Sequence, residues 1–144
     1  MTPENIQRVQ SSWAIVRPVS DDAIEFFFDS VFMRDPALEM RINEHFADHK
    51  ATFLSTLNMA IGWLDKPDYV IPALETLGAH QAGQGFQQAD YQTAGFALID
   101  TLSVHLGLDF DDATERAWIE LIDYVAGIMS QSSANASVIN RLAA

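Results

Sequence analysis

Ala73–Gly85 reads Ala-Leu-Glu-Thr-Leu-Gly-Ala-His-Gln-Ala-Gly-Gln-Gly, and the rest of the chain is organised around it. Ala73, Leu77 and His80 fall at helical spacing, which predicts a short helix with His80 on its apolar face. Gly83 and Gly85 follow at once and suit the end of that helix. An imidazole on a buried face beside a helix end has two uses. It can be a metal ligand, or a core histidine hydrogen-bonded to a backbone carbonyl.

Outward from this stretch, helical periodicity dominates and strand alternation is scarce. Thr2-Pro3-Glu4 is a helix start: a capping hydroxyl, proline at the first position, then an acid near the positive end of the dipole. Ile6, Val9, Trp13 and Val16 follow at spacings of three and four, and Pro18 ends that helix. Ser20-Asp21-Asp22 is expected to cap the next, whose aromatic face holds Phe27, Phe28 and Phe32. Pro36 opens a short helix with Leu38, Met40 and Ile42. A long amphipathic helix then runs to about Leu64 with Phe46, Phe53, Leu57 and Ile61 on its apolar stripe, and His49 lies on that stripe. Lys66-Pro67-Asp68 reads as a loop, and Pro72 as the start of the helix bearing His80. Ala89–Gly107 is helical and stops at Gly107. Asp111 caps a last helix built on Trp118, Leu121, Ile122, Val125 and Met129, with a soft exit at Ser132-Ser133-Ala134-Asn135. The expected architecture is all-α, with six or seven unequal helices, a domain over residues 1–132 and a tail over 133–144.

Composition sets the outer bounds. A chain of 144 residues with 49% apolar residues can bury a core as one domain. There are no cysteines, which excludes disulfides, thiolate metal sites and covalent attachment of a haem. The net charge of −12 repels phosphate backbones and anionic membranes, so nucleic acid and membrane are not expected partners. With no basic-then-apolar leader and no apolar run of spanning length, the expected location is the cytoplasm.

His49 and His80 are predicted to face inward from separate helices, among Phe28, Phe46, Phe53, Phe86 and Tyr91. Apolar walls between two imidazoles suit a haem, whose macrocycle has a large apolar face and whose iron takes an imidazole. Here the chain resembles a known family. Phe27-Phe28-Asp29-Ser30-Val31-Phe32 with Asp35-Pro36-Ala37-Leu38, then Leu77-Gly78-Ala79-His80, then Tyr91, Gly95 and Leu98, then Trp118, is similar to single-domain bacterial globins and to the haemoglobin domain of flavohaemoglobins. The resemblance covers roughly residues 2 to 131. It implies a globin fold around haem b, with His80 as the proximal iron ligand. His49 is implied as the distal residue, with Asp48 competing for that place. Phe28, Ile42, Phe46, Phe53, Leu77, Phe86, Tyr91, Ala94 and Leu98 are implied as cofactor contacts.

Three departures from the family pattern stand out. Ile42 takes the place of a phenylalanine that stacks on the haem. Phe28 lacks the distal tyrosine's hydroxyl. No glutamate in the last helix matches the one that joins the proximal histidine in flavohaemoglobin-like globins. The implied function is reversible binding of oxygen or nitric oxide. His49 either hydrogen-bonds the gas or itself occupies the iron. Two other functions are carried forward. One is a nitric-oxide dioxygenase served by a separate reductase, since the chain ends after the globin without a flavin domain. The other is a haem-free globin-fold sensor or interaction module.

The remaining candidates read as structural. His45 and His49 lack a zinc-site pattern, and Gly83-x-Gly85 lacks a nucleotide loop's preceding strand. His105 is expected to favour a helix dipole. Trp13, Trp63 and Trp118 are expected in or beside the core.

Overall fold

A computed structural model describes residues 1–82 and 87–143, with the backbone alone for His45 and for 133–143. Seven α-helices make up the described residues, with short 3-10 turns between some of them. They are α1 (Pro3–Val16), α2 (Ser20–Arg34), α3 (Pro36–Ile42), α4 (Phe46–Gly62), α5 (Pro67–Ala82), α6 (Gln88–Leu106) and α7 (Asp112–Ala143). No described residue is in a strand.

Local chemistry explains most of the boundaries. Thr2 accepts a hydrogen bond from the Asn5 amide and starts α1. Gly107 takes a positive φ of 55° and ends α6, a conformation that costs glycine least. Asp111 accepts from the Thr114 amide at 2.8 Å and starts α7. That hydrogen bond holds the Asp111 carboxyl below the usual carboxylate range.

Four expectations change. Ser20 lies inside α2, because the 3-10 turn Arg17–Val19 leads directly into it. Pro67 opens α5 in place of Pro72. Pro72 lies within the helix, where it has no N–H to give to the ladder. Ser132–Asn135 is no exit, since α7 continues to Ala143. That stretch contains neither glycine nor proline, and its alanines and serines are tolerated in a helix. Trp63 lies at the surface, 42% exposed, and packs beside Tyr69 with ring centroids 5.8 Å apart.

The core is in two parts. The larger gathers Trp13, Phe27, Phe28, Leu38, Ile42, Ile61, Leu98, Leu102, Trp118 and Leu121 from α1, α2, α3, α4, α6 and α7. Trp118 is its centre: fully buried, edge-on to Trp13 and hydrogen-bonded through its indole N–H to Ser12 Oγ at 2.8 Å. The smaller gathers Ala60, Val70, Leu74, Tyr91 and Met129. It is held by α5, which packs chiefly on α7 and only lightly on α4. Gly78 explains the closeness of α5 to α7. A Cβ built there would lie 2.5 Å from the Met129 carbonyl oxygen, so any side chain would force the helices apart.

Candidate functional site: a cavity between the two cores

The two cores leave apolar space where they meet. The larger cavity, about 100 Å³, lies between Phe53, Thr56 and Ala60 of α4, Gln81 of α5, Tyr91, Ala94 and Leu98 of α6, and Ile122, Val125 and Met129 of α7. A smaller one, about 30 Å³, lies between Phe28 and Val31 of α2, Leu38 and Ile42 of α3, His49 and Phe53 of α4, and Gln81 and Ala94. Phe53, Gln81 and Ala94 line both.

The aromatic residues shape the smaller cavity. Phe27 stacks on Phe53, centroids 4.0 Å apart, and Phe28 meets Phe46 and Phe53 edge-on. Phe46 packs between Phe28 and Phe32. Lys50 lies over its ring at 5.5 Å.

Among these apolar walls His49 is the imidazole that reaches the space. It is 4% exposed, and its Nε2 atom is buried. Asp48, its rival, points to solvent. The family pattern and the helical stripe both place residue 49 inward, and the structure places it there.

His80 lies elsewhere. Its side chain is exposed and lines neither cavity. The buried stripe of α5 is Val70, Leu74, Gly78 and Gln81, at spacings of four, four and three. Ala73, Leu77 and His80 are one helical step away, so Leu77 is half-buried at the edge and His80 turns outward. The expectation of an inward His80 is therefore corrected, and Gln81 takes the cavity position. Gln81 is 8% exposed, and its Oε1 accepts the Tyr91 hydroxyl at 3.2 Å. Reading from histidines missed Gln81. The signal that could have found it is the offset stripe ending in Gly78 and Gln81.

Tyr91, Ala94 and Leu98 of α6 line the larger cavity, Phe28 of α2 and Ile42 of α3 line the smaller, and Phe53 of α4 lines both. Phe86 and the Gly83-x-Gly85 stop lie outside the described residues, as does the side chain of His45. His105 has its Nδ1 2.8 Å from the Thr101 carbonyl, well away from the cavity. No group of three or more His, Cys, Asp or Glu side chains that could hold a metal occurs among the described residues. Nor is any described helix long and apolar enough to cross a membrane.

An ion pair joins two of the helices that line the cavities. Arg41 of α3 donates two hydrogen bonds to Asp90 of α6, at 2.8 and 2.9 Å. Asp90 is almost fully buried and also accepts from the Gln87 amide at 2.7 Å, closing the capping box that starts α6. Its hydrogen bonds raise the Arg41 guanidinium above its ordinary pKa, against the lowering effect of burial. The pair ties the helix bearing Leu38 and Ile42 to the helix bearing Tyr91 and Ala94.

This arrangement of helices is that of a globin, and the chain belongs to the globin family, whose model matches residues 24–129. Among solved structures it is similar to a hexacoordinated heme protein from an anhydrobiotic tardigrade. The TM-score is 0.85 at 14% identity, over 93% of this chain and 96% of that one. No curated protein matches the sequence.

The globin family implies a haem, and the residues can be tested against one. The walls are apolar and meet between two cores, and one buried imidazole reaches them from α4. These features fit the group. The cavities are smaller than the roughly 300–1,000 Å³ usual for a bound cofactor. A haem would need more room than this, and α4 packs only lightly on α5 and on α2. The α5 side presents an amide in place of an imidazole.

Proposed function

We propose that this globin binds a haem, of b type, in the α4–α5 cleft and reversibly takes oxygen or nitric oxide there. The observation that carries the reading is the buried His49 imidazole on the wall of an apolar cavity at the junction of the two cores. The absence of cysteine supports a non-covalently held haem such as the b type, since this chain forms no thioether bonds to a macrocycle.

When bound, a haem supplies an iron centre with affinity for diatomic gases. The chain's own residues do the rest. Phe53, Leu98, Ile122 and Val125 line the larger cavity with apolar surface and would exclude water from a bound macrocycle. Phe28 and Ile42 wall the smaller cavity without offering a hydrogen bond. The polar groups available there are the His49 imidazole and the Gln81 amide, the latter oriented by Tyr91.

The haem-loaded protein, reduced without air, is expected to change its visible spectrum on adding carbon monoxide or nitric oxide and to return when the carbon monoxide is removed. A reduced spectrum indifferent to both gases would remove gas binding. Consumption of nitric oxide by the oxygenated protein beyond a single equivalent, with a reductase regenerating ferrous iron, separates a dioxygenase from a carrier.

The outward His80 and the small cavities favour a second reading, a haem-free globin fold serving as a sensor or interaction module. It predicts no haem uptake, and a function indifferent to replacement of His80.

A further inference from the structure

Two methionines stand out of the surface at one corner of the fold. Met33, in the last turn of α2, is 86% exposed, and Met40 on α3 is 83% exposed. A single residue, Asp35, joins the two helices. α3 has two faces. Leu38 and Ile42 are buried and line the smaller cavity, whereas Pro36, Ala37 and Met40 fall on the opposite side and are exposed. On α2, Met33 lies opposite the buried Phe27, Phe28 and Val31.

The free charges around this corner have one sign. Arg34 is paired with Asp100, and Arg41 with Asp90 and Asp35. Asp29, Glu39 and Glu44 are exposed and, among the described residues, stand in no ion pair.

We propose that the α2–α3 corner is a docking surface for a basic amphipathic helix of a partner protein. The apolar side of that helix seats on Met33 and Met40, and its cations meet Asp29, Glu39 and Glu44. This goes beyond the gas-binding reading and does not depend on it.

Exposed apolar side chains grouped within a charged rim have the form of a protein-interaction site. Methionine suits such a place, because its unbranched thioether adapts to the shape laid on it. A helix with apolar anchors on one side and cations beside them is the complement of this corner. A second copy of the chain is not, since a symmetric contact would set these carboxylates against their own counterparts. The net charge of −12 likewise repels phosphate-bearing partners and anionic lipid.

The test is a titration of the full chain, carrying carbon-13 in its methionine methyls, with a synthetic amphipathic helical peptide of leucine and lysine. The Met33 and Met40 signals are expected to shift and saturate while that of the buried Met129 stays in place. A peptide of leucine and glutamate should shift none of them. Met33→Ser combined with Met40→Ser leaves the charge unchanged and should weaken binding by about tenfold or more. Glu39→Lys should weaken it too. Asp109→Lys makes the same change of charge at the turn between α6 and α7 and should weaken it far less. The substituted side chains are all exposed, so the fold survives the changes. Equal losses from the two lysine variants would reduce the binding to net charge and overturn the proposal. Undiminished binding by the double serine variant, or no shift with the lysine peptide, would overturn it as well. So would a shift caused by neutral phosphatidylcholine vesicles and not by the peptide, which would make the corner a lipid contact.

Discussion

Replacing Arg41 by alanine is expected to lower the unfolding free energy by about 3 kcal/mol, the lower end for breaking one partner of a buried pair. The lower end applies because Arg41 keeps 27% of its side chain exposed, while Asp90 keeps 2%. The substitution leaves the Asp90 carboxylate buried, with the Gln87 amide still donating to it. Arg41→Lys should recover only part of the loss, because an ammonium cannot supply two parallel N–H donors. Urea melts should show a lower midpoint with an unchanged slope. A loss below about 1 kcal/mol, the value typical of a surface pair, would show that water reaches Asp90. The same substitution frees α3 from α6, so haem affinity should fall along with stability.

The second large effect is expected at Trp118. Trp118→Ala should cost about 3 to 5 kcal/mol by emptying the centre of the larger core. In a chain of this size that lowers the melting temperature on the order of 10 °C. Trp118→Phe should cost much less, since it keeps most of the volume and loses one N–H bond to Ser12. Thermal melts followed by circular dichroism distinguish the two. Equal losses would mean that the indole hydrogen bond, and not the volume, carries the effect.

These two sites differ in how visible they were from the residues alone. Trp118 stood on a helical stripe with Leu121, Ile122 and Val125, and burial followed from periodicity. Asp90 gave no such sign: a charged residue in a first turn reads as a solvated dipole partner. Its burial depends on Arg41, far away in the chain. The helix ends that depend on neighbours in sequence were legible, as at Thr2, Gly107 and Asp111.

The face of α5 was not legible. Apolar periodicity counts leucines and alanines, and on that count the stripe runs through Ala73 and Leu77 to His80. In the fold the stripe runs through Gly78 and Gln81, which an apolar count scores as nothing and as polar. What selects it is a tertiary contact, the backbone of α7 at Met129 lying against a residue with no Cβ. The family resemblance did not correct this, because it was carried to the histidine of the segment. Pro72 misled in the same region. It reads as a helix start, yet Pro67 had already opened α5 and Pro72 costs the helix one hydrogen bond.

The central claim is that the space between the two cores takes a haem. The most direct measurement is a titration of the purified, haem-free full chain with ferric haem, followed through the visible spectrum. The account predicts a Soret band that grows and saturates at one haem per chain, distinct from that of free haem. A spectrum that stays the sum of free haem and protein at every ratio would contradict it, and the haem-free module would then be the reading that stands.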